Sequence, residues 1–97
     1  MKAVFISYNQ VITDKVDEIL DSLLIRGYTQ WVGVKGRGSN QGDPHMGSHT
    51  WPALNSAILC IVDEEKVDPL LSRIDKLNKE VEQQGIRAFV WDITGSI

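Results

Sequence analysis

Residues 36–55 read GRGSNQGDPHMGSHTWPALN and divide the chain into two halves of similar design. The stretch holds four of the eight glycines (36, 38, 42 and 47), two of the three prolines and both histidines. About twenty residues of such composition are unusual as a plain connection in a small domain, and long loops of this kind tend to carry function. A strand-like run flanks it on either side: Tyr28 to Lys35 before it, rich in Thr, Trp and Val, and Ala57 to Val62 after it, uniformly apolar. Gly33 inside the first run predicts a bulge or a close backbone approach.

Each flanking strand belongs to a β-α-β unit. In the first, the apolar run Ala3–Ile6 precedes an amphipathic helix with Thr13 as its cap and Val16, Ile19, Leu20, Leu23 and Leu24 on one face. Arg26-Gly27 is the expected stop, because glycine tolerates the left-handed cap position. In the second, Asp68-Pro69 opens a helix, with Asp63 as a competing cap. Its apolar face is Leu70, Leu71, Ile74, Leu77 and Val81, and Gly85 ends it before a last strand, Arg87 to Ile93. Two right-handed β-α-β units side by side make an α+β, ferredoxin-like βαββαβ fold: a four-stranded antiparallel sheet with two helices on one face. The expected organisation is one domain over residues 1–97 with the long loop at 36–55.

That arrangement leaves a sheet face without helices, which would be polar in a monomer. Here the first and third strands are apolar at consecutive positions, and Phe89, Val90 and Trp91 add bulk to the fourth. A closed homo-oligomer packing sheet against sheet is the expected remedy.

Charge and composition exclude several functions. The formal charge is −3 with no basic patch, which argues against nucleic-acid binding. The lone Cys60 lies in an apolar run and reads as a small buried hydrophobe. Neither a signal peptide nor an apolar run of membrane-spanning length is evident, so the expected address is the cytoplasm. There is no nucleophile elbow, P-loop lysine or fixed nucleophile–base pair, and no catalytic residue is expected.

Within the loop, His45 and His49 stand four apart with Asp43 two before the first, a partial ligand set for a divalent metal ion. Pro44 and Gly47 oppose the regular helix that would put both rings on one side. The competing reading gives these histidines to backbone bonds, to Trp51 or to a partner. Arg37 and Arg87 are candidate cations for an anionic ligand.

The segments Lys2–Ile6, Val16–Gly27, Val34-Lys35-Gly36-Arg37-Gly38 and Val62-Asp63-Glu64-Glu65-Lys66-Val67-Asp68 together resemble the PII signalling proteins, in a shortened PII-like branch. The resemblance implies a homotrimer with its sheets facing inward and clefts between subunits for a small effector. It makes residues 36–55 the T-loop, a contact for a protein partner such as a transporter or an enzyme, with Asn40, Gln41, Met46 and Trp51 as its contact residues. It assigns effector binding to Gly36, Arg37, Gly38, Gly85 and Arg87. The chain departs from the family in lacking basic residues near its C-terminus, where it ends Thr94-Gly95-Ser96-Ile97, and in keeping only Gly85 and Arg87 of the glycine-rich turn. Triphosphate recognition needs several backbone amides and positive charge together, so the expectation is that ordinary ATP/ADP binding is weak or absent and the effector is unassigned. No tyrosine lies within 36–55 for modification.

Overall fold

A computed structural model describes residues 1–38, 42–81 and 84–97. Four strands, β1 (Lys2–Asn9), β2 (Tyr28–Val34), β3 (Asn55–Val62) and β4 (Ile86–Asp92), form one antiparallel sheet in the order β2-β3-β1-β4. Helices α1 (Thr13–Ser22) and α2 (Val67–Glu80) complete the ferredoxin-like arrangement. The central pair runs without interruption from Lys2 opposite Val62 to Asn9 opposite Asn55. Both strands are apolar at successive positions, as interior strands must be when covered on two sides.

One face of the sheet is already closed. Val4, Ile6, Tyr8, Ile58, Cys60, Val62 and Ile86 pack under Val16, Ile19 and Leu20 of α1 and Leu70, Ile74 and Leu77 of α2. The Tyr8 hydroxyl is buried with them and accepts a 2.8 Å bond from Gln30 Nε2, which offsets the cost of taking it from water. Burial pushes the Cys60 thiol up, away from the reactive thiolate, and its Sγ faces the Val4 carbonyl at 3.7 Å. Cys60 is thus the small core residue its apolar run suggests.

The opposite face is bare. Register places Ala3, Ile61 and Trp91 in one row across the strands, Thr29, Leu59, Phe5 and Phe89 in the next, and Trp31, Ala57, Ser7 and Arg87 in the third. Trp31 is 46% exposed, Ile61 40%, Phe89 59% and Trp91 48%. These four side chains alone leave on the order of 300–400 Å² of apolar surface in water, as large as the biggest patch on a typical monomer.

The element ends differ from the expected ones in instructive ways. Helix α1 stops at Ser22, before the Arg26-Gly27 signal, and Leu24 takes the left-handed conformation with φ 58°. The Ile25 amide donates to the Leu20 carbonyl at 2.9 Å and the Leu24 amide to the Asp21 carbonyl at 3.0 Å, a Schellman closure. Burial of Ile25 against Leu20 drives it, and outweighs the steric cost at Leu24. Gly27 is not left-handed. At the other end, Thr13 is the first residue of α1, and Asn9 Oδ1 caps the preceding 3₁₀ turn by accepting from the Val11 amide. Helix α2 begins at Val67, so Pro69 sits in its first turn where an amide has no partner to lose. Gly33 has φ 71° at a register break between Trp31 and Val34, the predicted bulge.

Leu24 is 63% exposed, so replacing it loses little burial while relieving the left-handed strain. Leu24→Gly is expected to stabilise the fold by roughly 0.5–1 kcal/mol in urea denaturation, with an unchanged m-value.

Candidate functional site

The long stretch at 36–55 is less open than its composition suggests. Gly36 and His45 exchange two backbone bonds, the Gly36 amide to the His45 carbonyl at 2.9 Å and the reverse at 2.7 Å. Further out, the Gly47 amide donates to the Ala53 carbonyl at 3.1 Å and the Ser48 amide to the Trp51 carbonyl at 2.9 Å, while Ser48 Oγ accepts from the Trp51 amide. Gly47 is left-handed at φ 63°, and a Cβ there would lie 2.8 Å from Leu54 Cδ2. The loop therefore has a laced base and a small turn at 48–51, in place of one structureless connection.

A side chain completes the base. Asn55, the first residue of β3, is 8% exposed, and its Oδ1 lies 2.5 Å from His45 Nδ1. Its amide nitrogen fills the space beside Gly36, where an added Cβ would collide with Nδ2. Gly36, His45 and Asn55 form a clasp in which each member fixes the other two. Nothing in the residue types before the apolar run flags Asn55 as a site residue. The available signal is that a buried asparagine at a strand start needs a hydrogen-bond partner.

The clasp walls a cleft of about 1000 Å³. Gly36, Arg37 and Gly38 line one side and Gly85, Ile86 and Arg87 another, with Tyr8, Asp43, His45 and Asn55 between. All five residues expected to bind an effector are thus in one cavity. Phe5, Ser7 and Phe89, which belong to the bare sheet face, line it too. The cleft consequently opens onto the surface that lacks a cover.

Both arginines are anchored by backbone carbonyls. Arg37 Nε donates to the Gly42 carbonyl at 2.9 Å, and Arg87 Nη1 to the carbonyl of Ile86 at 3.2 Å. Among the described residues the ion pairs join Lys2 to Glu64 and Asp92, and Lys79 to Asp75, so neither arginine is held by a carboxylate there. Gly85 is left-handed at φ 81°, which turns the chain from the end of α2 into β4 beside Arg87.

The candidate metal residues separate. Asp43 and His45 line the cleft, whereas His49 is exposed in the turn beyond Gly47. Among the described residues no three of His, Cys, Asp and Glu come together as a possible metal site. The lacing of Gly36 to His45 holds His45 at the base and away from the tip. Met46 is half-buried and Trp51, 39% exposed, stands on the tip, whereas Asn40 and Gln41 lie outside the described residues. No helix among those residues is long and apolar enough to cross a membrane.

The clasp makes a contrast between neighbouring glycines. Gly36→Ala is expected to cost about 1–3 kcal/mol in thermal or urea denaturation, because Asn55 cannot move without releasing His45. Gly38→Ala, with nothing within 4 Å of its added Cβ and no positive φ, should stay within about 0.5 kcal/mol of wild type.

Known proteins share the fold. No curated protein matches the chain significantly. Among solved structures, CPII from Thiomonas intermedia K12, a nitrogen regulatory PII-like protein, is matched in its form bound to ADP and bicarbonate with 26% identity and a TM-score of 0.75. The match covers 95% of this chain and 84% of that one. CPII bound to ADP, AMP and acetate matches at 25% identity over the same shares, with a TM-score of 0.67. A PII-like signalling protein from Thermus thermophilus, 24% identical over 93% of this chain and 83% of that one with a TM-score of 0.65, shares the fold. The family model for nitrogen regulatory protein P-II matches residues 1–97, end to end, and the chain belongs to that family.

Proposed function

We propose that this protein is a PII-type regulator that assembles as a homotrimer, binds a small anionic effector in the cleft beside Gly36, and reports occupancy to a protein partner through residues 36–55. The observation that carries this reading is the cleft itself. Two glycine-containing turns and two arginines without carboxylate partners among the described residues meet in one cavity that opens onto an apolar sheet face. A second copy packed on that face would close the cavity, exclude water from it and raise the worth of each charge-assisted bond.

The effector class follows from what the cleft offers. Two guanidinium groups suit one or two phosphates, or a carboxylate-sized anion, better than a triphosphate. Among the described residues Arg37 and Arg87 are the cations lining the cleft, which weighs against ATP but not against AMP or ADP. The CPII structures 25–26% identical to this chain are bound to ADP and bicarbonate, to ADP, AMP and bicarbonate, and to ADP, AMP and acetate. This reading revises the expectation that ATP/ADP binding is weak or absent: an adenine nucleotide of low phosphate number, with or without bicarbonate, is the proposed ligand. The loop, whose base shares Gly36 and His45 with the cleft, is the element whose shape an occupant would bias. The tip, with exposed His49 and Trp51, is the surface offered to a cytoplasmic partner.

Isothermal titration calorimetry on the assembled protein with AMP, ADP and ATP tests the proposal. AMP or ADP should bind more tightly than ATP, and Arg37→Ala should weaken the better ligand by about ten- to a hundredfold, the value of a charge-assisted bond. Absence of binding by all three nucleotides, with and without bicarbonate, would contradict it.

A further inference from the structure

The clasp contains a group that the effector-binding set leaves out. His45 lines the cleft, and its Nδ1 is committed to Asn55 Oδ1 at 2.5 Å. An amide oxygen can only accept, so the neutral imidazole carries its hydrogen on Nδ1. Nε2 is then left with a lone pair, an acceptor on a residue of a cavity whose donors include the two guanidinium groups and whose other charged group is the Asp43 carboxylate. Asn55 cannot turn away, since it is 8% exposed and its amide nitrogen is pressed against Gly36. The main chain of His45 is paired with Gly36 on both sides, so the ring is fixed from the backbone as well as from its tip.

We propose that His45 reads a hydrogen-bond donor on the bound anion, and that Asn55 is the positioning residue that sets its tautomer. The inference rests on the cleft being the effector site. It specifies the ligand chemistry further: an anion with its own hydroxyl satisfies both the arginines and His45, whereas an anion of the same size with acceptors only leaves Nε2 unpaired. Bicarbonate and acetate are such a pair, planar and alike in charge and size, differing in the hydroxyl. Because His45 also closes the loop base, the residue that touches the hydroxyl is the one whose backbone holds Gly36. Discrimination between the two anions and closure of the loop are therefore properties of a single side chain and its support.

The test uses the intact protein with bicarbonate and acetate as probes, each titrated at pH 8 in the presence of saturating AMP and in its absence. Wild type should prefer bicarbonate by about tenfold, the value of one hydrogen bond in a cleft. His45→Ala should bring the ratio to within about twofold of unity, and His45→Gln, whose amide oxygen reaches a similar position, should keep it within about threefold of wild type. Asn55→Leu should also lose the preference. If that variant does not fold, nitrogen NMR of histidine-labelled wild type supplies the second measurement. It should show His45 protonated on Nδ1, with the Nε2 resonance moving on addition of bicarbonate but not acetate. Binding of both anions to wild type with a ratio unchanged in His45→Ala, or an Nε2-protonated ring, would overturn the assignment of His45 and leave the cleft reading intact. Failure of wild type to bind either anion would overturn the assignment of His45, whereas the cleft reading falls only if AMP and ADP also fail to bind.

Discussion

The antiparallel pairing of β1 with β3 is the constraint from which the rest follows. These two strands occupy the middle of the sheet, register with one another along their whole length, and carry apolar side chains toward both faces. One set, Val4, Ile6, Ile58, Cys60 and Val62, is used up beneath the helices. The other, with the aromatic residues of the flanking strands, has no cover among the described residues. Burying the four most exposed of these side chains would contribute on the order of 8–10 kcal/mol per chain before association costs. A 97-residue chain gains proportionally more from such a contact than a larger one.

The candidate cleft depends on the same face. Phe5 and Phe89 are at once part of the bare surface and part of the cavity wall beside Arg87 and Gly36. On the proposed function, assembly and ligand binding would be linked in one place, because whatever covers the sheet would also finish the cavity. The loop is tied to that place through the Gly36–His45 pairing and the Asn55 side chain, so a change in the cavity has a short covalent and hydrogen-bonded route into residues 36–55.

How far the sequence discloses this depends on the distance over which each feature is decided. Strand order, the helix faces and the Gly33 bulge follow from periodicity and from single residues, which act locally. The surplus of apolar positions on β1 and β3 was legible as an uncovered face, because no alternation separates the two sides. The end of α1 was not, since Gly27 offered a stronger local stop than Leu24 and only the burial of Ile25 against Leu20 decides between them. The five residues expected to bind an effector could be grouped by family resemblance, and they line one cavity. Asn55 escaped notice because its role is set by His45 and Gly36, ten and nineteen residues away, and an asparagine before an apolar run reads as an ordinary strand start. The histidines read as a pair on spacing alone, whereas backbone lacing at Gly36 and Gly47 places one in the base and the other in the turn.

Closure of the bare face by copies of this chain, with completion of the cleft, is tested most directly by sedimentation equilibrium at micromolar concentration. A mass three times the 10.9 kDa of the chain is the expected result. A monomer that persists at that concentration would contradict it, because the apolar face and the open side of the cleft would then both remain in water.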